Sequence, residues 1–521
     1  MFRLFPDDCL RSPLFTVKQA LCGLLIALLV IGVSPVRGQD SSQITLGTLA
    51  PITSFDPADS FDLPTWELLS HLYTGLTRRI PGTGEYTLAL AASHMVSADG
   101  LSHTFSLRPD AAFSDGTPIT AQTCADSIQR TLTLMGKGYE AAAPYVEGVE
   151  VSAAGELVIH LKRPLPYLLA LLSLPPFFPV HPGIYPPDQL INTGTGVIGS
   201  GVYRIRSLKA DQISLEADPA WKGEAPAVPR IEVRRYPYPA DLRDAALRGE
   251  LDLIWRGLPD EDVAKVIAGA PQFQPIRQPV PGAFYLIFGI KEKPYNDPAA
   301  RAGFAQLLDR DRAVFMGYGD SAAPLLTLLP TALAGDAPLF PAYDLKGAGA
   351  FLREHGYSPY KRIESELQSA SRLYGDAYGA ALNALITEIN RGDIVRVGRF
   401  DTEPSVFLEQ IERGTFRLMV VGWTPLVEHP DAYLRPLLSG PIAQGAGYQN
   451  DQITALLDQA ALNPPNAAAL YQQVQTLARA DAVVIPIWGR QALALVGGRI
   501  DPASVNFGGD YQLHFERLRL Q

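Results

Sequence analysis

Residues with the type and spacing for chemistry occur at only a few places in this 521-residue chain. Gly194-Thr195-Gly196-Val197-Ile198-Gly199 has the spacing of a dinucleotide fingerprint. The segment after it reads as a strand, so no helix N-terminus is available to receive a pyrophosphate. Glu428, His429 and Asp431 are metal-ligand types, but neighbours on one loop rarely converge on one ion. Glu428 with Asp431 is also the one carboxylate pair on which a hydrolytic site could be built, and no catalytic motif accompanies it. The sequence holds no His-Glu-x-x-His, Cys-x-x-Cys, Walker loop or Gly-x-Ser-x-Gly elbow. Cys124 falls on a predicted helix face, where a thiol is buried filler more often than a nucleophile. The chain is therefore expected to need no cofactor and no metal and to catalyse nothing. What remains is binding chemistry. It gathers at Gly422-Trp423-Thr424, where an apolar strand runs out into backbone available for hydrogen bonds beside a flat indole.

The elements that must position this tip alternate. Leu382, Leu385, Ile386 and Ile389 form a helical stripe, 394–400 a strand, 406–411 a helix and 416–421 a strongly apolar strand. Such a βαβαβ run builds a parallel sheet covered on both faces, and ligands lie at the carboxyl ends of its strands. Two closing helices are predicted, one over 453–460 and one capped by Asn466 with Leu470, Val474 and Leu477 on its buried face. Upstream, 104–108 alternates as a strand, 114–118 is a turn, and Thr120 caps a helix over 121–134. Residues 203–206 and 213–216 alternate as half-buried strands. The fold class is thus α/β, with mixed sheets flanked by helices, and length alone suggests two or three domains.

At the amino terminus the apolar run 20–33 follows Arg3, Arg11 and Lys18 and precedes Pro35 and Val36-Arg37-Gly38. Its length falls short of the roughly 20 residues a spanning helix needs, so 1–38 reads as an export signal cut after Gly38. An uncleaved membrane anchor is the alternative. Cys22 follows Gln19-Ala20-Leu21 and lacks the preceding small residue of a lipid-attachment site. Cys9 and Cys22 fall in this leader, which leaves Cys124 alone and no disulfide. An exported chain must then draw its stability from a large apolar core, which residues 39–521 are long enough to supply. The leader carries four basic and two acidic side chains, so the remainder has a net charge near −12, against −10 for the whole chain. That balance speaks against nucleic acid or an anionic membrane surface as partner.

One set of segments carries a family resemblance. Leu90-Ala91-Ala92-Ser93, Ser97-Ala98-Asp99-Gly100, Thr104-Phe105-Ser106-Leu107-Arg108 and the run from Phe113-Ser114-Asp115-Gly116-Thr117-Pro118 to Ala121 resemble the signature of the family 5 extracellular solute-binding proteins. These are the dipeptide- and oligopeptide-binding proteins of bacterial ABC importers. Four further blocks follow in the family's order: Gly199-Ser200-Gly201-Val202-Tyr203-Arg204 with Asp218-Pro219-Ala220-Trp221-Lys222-Gly223; 285–312, with Asn296-Asp297-Pro298 and Leu308-Asp309-Arg310; Tyr343-Asp344 through Gly356-Tyr357; and Gly422-Trp423 with His429-Pro430-Asp431.

The resemblance implies a two-lobed periplasmic-binding-protein clamshell, type II and of the large class with an extra subdomain in lobe I. Lobe I would comprise 39–277 and 490–521, with the inserted subdomain at about 80–190, and lobe II 278–489. The crossings near 278–282 and 486–489 are rich in Pro and Gly, which suits a hinge. A periplasmic monomer is implied that closes on a peptide-like solute and passes it to the permease and ATPase subunits of an importer. A ligand sensor is the other use of this fold. In peptide-binding relatives the tip after Gly-Trp carries an aspartate for the ligand's α-ammonium; counted from Trp423, that position is Leu426. Either Glu428 or Asp431 takes over the role, or the ligand is not a peptide with a free N-terminus; sugars, opines, glutathione-like molecules and metal chelates are ligands of relatives. Further candidates are Tyr285 just after the hinge, Trp255 and Arg256 at the end of an apolar strand, and Ser60, Phe61 and Asp62 after the Phe55-Asp56-Pro57 turn. The alternatives are lobe packing for Trp423 and strand packing for Tyr285, an exposed ion pair or a stacked surface position for Arg256, and for Asp62 the cap of a helix holding Trp66 and Leu69.

Overall fold

β1 (Gln43–Thr48), buried at every position but its first, opens the main sheet. The computed structural model describes residues 42–80, 83–334 and 337–521, so the leader, its apolar run, Cys9 and Cys22 lie outside the described residues. After β1 the chain leaves this sheet. β2 (Thr77–Arg79) and β3 (Tyr86–Leu88) form a hairpin, and β4 (Ala91–Val96), β5 (Ser102–Leu107), β6 (Val146–Val151) and β7 (Leu157–Leu161) form an antiparallel sheet in the order β4-β5-β7-β6. Between β5 and β6 lies the helix Ala121–Leu134, which starts where the sequence says it should. Thr120 accepts from the Thr123 amide while the Thr123 side chain binds the Thr120 backbone, a reciprocal cap, and Cys124, Ala125 and Ile128 face inward.

The chain returns through β8 (Tyr203–Lys209), β9 (Gln212–Ala217) and β10 (Arg230–Arg235), an antiparallel meander, and β11 (Leu253–Trp255), parallel to β1. β12 (Gln274–Phe288), β13 (Ala322–Pro324), β14 (Ile363–Ser369), β15 (Val395–Asp401), β16 (Leu418–Trp423) and β17 (Val484–Val496) complete it. The strand order is β15-β14-β16-β12-β17-β11-β1-β10-β9-β8, with β13 beside β17. The βαβαβ reading holds: β14, the helix Asp376–Ile389, β15, the helix Pro404–Arg413 and β16 alternate, and the three strands are parallel.

Apolar residues gather around separate cores. One is built wholly from residues between Ala283 and Trp488. A second joins Ile44 to Val280 with Ala492 to Leu518. A third lies under the β4–β7 sheet, from Trp66 to Phe177, and takes in Val427 and Ala432 from the far side. β12 and β17 run through the junction of the first two. They pair from Gln274↔Val496 to Pro279↔Gln491 and again from Ala283↔Gly489, with a register break between Pro279 and Ala283. The closing helices are Asp451–Ala461 and Ala467–Asp481. Asn466 stands at the start of the second, but its side chain caps no amide, because its backbone (φ −100, ψ 15) is already turned inward rather than extended. Among the described residues no helix is long and apolar enough to cross a membrane.

The turn after β1 is tied to the β4–β7 body by a buried ion pair. Arg130, on the helix Ala121–Leu134, binds both oxygens of Asp56 at 2.8 and 2.6 Å, and Asp56 also accepts from the Ala58 and Ile191 amides. Asp56 is fully buried. Replacing Asp56 by Ala strands a buried guanidinium, so a loss of about 3–5 kcal/mol in urea unfolding is expected. A loss below about 1 kcal/mol would show the pair to be dispensable.

Candidate functional site

β16 ends as the sequence suggests, with Leu418 to Val421 buried, Gly422 and Trp423 half-buried and Thr424 exposed. Gly422 pairs with Phe284 of β12 and also abuts Tyr374; a Cβ there would lie 2.9 Å from each ring. Only glycine lets the strand end come down onto this floor of Phe284, Tyr318, Tyr374, Tyr378 and Trp488, whose rings touch in tilted and edge-on pairs. The Trp423 indole donates to the Ala432 carbonyl at 2.9 Å, which pins the ring to the helix Pro430–Leu438. Thr424, Gly282 (φ +123) and Arg490 meet at the β12–β17 break: a Cβ on Gly282 would lie 2.8 Å from Thr424 Oγ1 and 3.1 Å from Arg490 Cδ. The Arg490 guanidinium stands 5.8 Å from the Tyr511 ring centre, and Arg256 stands 4.4 Å from it. Tyr511 (φ +58) and Arg256 (φ +60) both hold a left-handed backbone, a costly conformation that persists where surroundings over-determine it.

Beside the tip lies a cavity of about 330 Å³, lined by Leu426, Val427 and Glu428 on one side and by Arg79, Asp510 and His514 on the other. Its wall is a chain of charged and polar contacts, ending at His71, which burial shifts towards the neutral form. Arg79 reaches Glu428 at 3.5 Å and Asp510 at 3.2 Å; His514 joins Asp510 at 3.1 Å and Glu516 at 3.3 Å; Glu516 reaches His71 at 3.5 Å. Burial raises the Glu428 carboxyl, opposed by Arg79. Burial alone would lower His514, but Asp510 and Glu516 lift it to about 10. Burial alone would raise Glu516, but its bond to His514 and that ring's charge bring it to about 2.

The structure separates the candidate residues. Gly422, Trp423 and Thr424 stand together at the tip, and Leu426 and Glu428 line the adjacent cavity. Asp431 does not face a ligand: it is fully buried, bound by Arg435 at 2.9 Å and approached by Arg163 at 3.6 Å. Glu428, His429 and Asp431 diverge, because His429 accepts the Asp431 amide and caps Pro430–Leu438 while the two carboxylates take different arginines. Tyr285 is fully buried and donates to the Leu328 carbonyl at 2.8 Å, so it packs instead of lining a cleft. Trp255 is buried and donates to Glu67 at 2.9 Å; Arg256 pairs with the same carboxylate at 3.1 Å and donates to the Tyr511 carbonyl. Ser60 is buried and donates to the Pro57 carbonyl, and Asp62 caps the helix Leu63–Leu72. Phe61 alone of that turn stays exposed, edge-on to Trp66 at 5.5 Å. The Cys124 thiol is buried and pushed up to about 12 by burial. Sequence reasoning missed Arg79, Tyr374, Arg490, Asp510, Tyr511 and His514. A lone cation just past the Pro486–Gly489 crossing was the one local signal, and it marks Arg490.

Comparisons with known proteins agree with this architecture. The model of the bacterial extracellular solute-binding proteins, family 5 middle region, matches residues 85–445. The chain is 26% identical over 450 residues to di/tripeptide-binding protein 2 of Pseudomonas aeruginosa (strain UCBPP-PA14), covering 80% of this chain and 82% of the relative. It is 24% identical over 421 residues to the nickel-binding periplasmic protein of Escherichia coli (strain K12), covering 76% and 80%. The solved unliganded open form of MppA, a periplasmic murein tripeptide binding protein, superposes with a TM-score of 0.82 at 20% identity, covering 92% of this chain and 98% of that one. That likeness shows the fold to be the two-lobed α/β architecture of periplasmic binding proteins.

The histidine cluster makes stability depend on pH in a defined direction. His514 titrates near 10 in the folded chain and near 6.5 unfolded, so its contribution is complete below about 6.5 and is lost as pH rises through about 10. The Glu516 contribution is present above 4.5 and lost as pH falls through about 2. Unfolding free energies measured from pH 6.5 to 10 are therefore expected to fall for the native sequence and to run flatter for His514→Gln. Parallel curves would mean that the folded histidine carries no extra proton.

Proposed function

Because this chain belongs to the bacterial extracellular solute-binding proteins of family 5, we propose that it captures a peptide-like solute between its lobes and delivers it to the permease and ATPase subunits of an ABC importer. In this reading 1–38 directs export and the monomer works in the periplasm. Lobe I is 39–277 with 490–521, and lobe II is 278–489. The solute touches both lobes only when they close, so its binding energy shifts the population towards the closed form, and release requires no chemistry. The observation that carries the reading is the exposed end of β16, where free backbone and the Trp423 indole border the aromatic floor beside the β12–β17 break. An extended ligand gains main-chain hydrogen bonds at such a strand end, with ring faces for its side chains. The di/tripeptide-binding relative and the murein tripeptide binding structure support a peptide class.

A second reading rests on Leu426. With leucine there, Glu428 held by Arg79 and Asp431 by Arg435, a free α-ammonium finds no idle carboxylate among these three tip positions. That favours a solute without a free amine, either a modified peptide or a sugar, opine, glutathione-like molecule or chelate; one relative is named for nickel. Native mass spectrometry of protein purified from its own host, followed by identification of the released molecule, separates the readings. With that molecule as ligand, Trp423→Ala is expected to weaken binding by about 2 kcal/mol or more. Unchanged affinity with a lowered melting temperature would make the indole a packing residue only.

A further inference from the structure

Resting on the peptide-like reading, we propose that Arg490 is the anion-recognising residue of the cleft and that the solute is held through a carboxylate instead of its ammonium. Arg490 lies on β17 between Gly489 and Gln491, the residues that flank the break with β12, and its side chain is exposed. There it is within reach of three separate parts of the cleft: Gly282 at the crossing, Thr424 at the tip of β16, and Tyr511 of the carboxyl-terminal tail.

The neighbouring cations are already neutralised. Arg256 pairs with Glu67 at 3.1 Å, Arg79 is shared by Glu428 and Asp510, and Arg277 lies 3.6 Å from Asp320. Among the described residues no carboxylate pairs with Arg490, which lies over the face of Tyr511 and near the Tyr318 hydroxyl. A guanidinium resting on a ring uses its face and keeps its edge donors, which fit a carboxylate bidentately. The carboxylates of the tip are occupied, and an apolar residue, Leu426, stands where an ammonium would need one. Closure around a cationic group would bury it beside a like charge without a counter-ion, whereas closure around a carboxylate supplies the partner Arg490 lacks.

The test uses the full chain freed of ligand by unfolding and refolding, and a synthetic mixture of peptides from two to five residues long, prepared with free ends, acetylated amino ends, amidated carboxyl ends, or both ends blocked. Capture is read by native mass spectrometry and affinity by calorimetry on the strongest binder. Free and acetylated peptides are expected to be captured, with amidated ones roughly tenfold to a hundredfold weaker. Arg490→Gln should bring acid and amide forms to equal, weak affinity, and Arg490→Lys should restore part of the difference, with melting temperatures showing both variants folded. Capture of amides as tightly as acids, or a preference for acids that survives in Arg490→Gln, would overturn the assignment while leaving peptide capture intact. Capture of no peptide in any end state would overturn the peptide reading and this proposal together.

Discussion

A buried backbone amide needs a partner, and in β12 three are missing at the outset, because Pro275, Pro279 and Pro281 carry no N–H. The ladder with β17 survives on either side and breaks between Pro279 and Ala283, while the Gly282 amide turns to the Tyr433 hydroxyl at 3.3 Å. On one side of the break the two strands supply Ala283 to Phe288 with Val484, Ile485, Ile487 and Trp488 to one core; on the other β17 supplies Ala492, Ala494 and Val496 to another, which Val280 of the break itself also joins. Each core packs tightly, and a dense interior resists deformation. The few residues that belong to neither regular stretch are thus the least constrained part of the strand pair, and the tip of β16, Gly282 and Arg490 stand around them.

Charge is distributed around this junction in a way that limits what can enter it. Glu67 takes both the Trp255 indole and Arg256, so one carboxylate fixes the end of β11 and, through the Leu513 amide at 2.7 Å, the carboxyl-terminal tail. Arg79 ties that same tail, at Asp510, to Glu428 just beyond the tip of β16. These groups are mostly buried, and a buried charge is tolerated only with its partner in place. They thus act as fixed walls, and recognition falls to groups with unused capacity: the strand-end backbone, the ring faces and Arg490.

Local signals were legible in the sequence because their causes are local. The Thr120–Thr123 cap, the alternation in β8 and β9 and the apolar run of β16 each depend on residues a few positions apart, and each stands where it was expected. The order of the family-like blocks pointed to the family, and with it the two-lobed fold. The site was only partly legible. Asp431 is taken up by Arg435, which lies one helical turn away at the spacing that favours such pairs, a signal the sequence does carry. Glu428 and Arg79, or Arg256 and Tyr511, are brought together only by the tertiary fold, and no periodicity reports a contact between residues hundreds of positions apart. The burial of Tyr285 and Trp255 is not legible for a related reason: a strand pattern gives alternation, but not which face a second body will cover.

Leu426 is best understood through the same long-range packing. It lies against the core beneath the β4–β7 sheet, next to Val427 and Ala432, which are buried in that core. A carboxylate at 426 would face this apolar surface close to Glu428, whose own partner, Arg79, is already shared with Asp510. The leucine is therefore not an aspartate lost from an otherwise unchanged site. Docking an apolar 426 on the neighbouring body and neutralising Glu428 and Asp431 with arginines both limit free negative charge at the tip, and among the described residues no carboxylate pairs with Arg490 across from it.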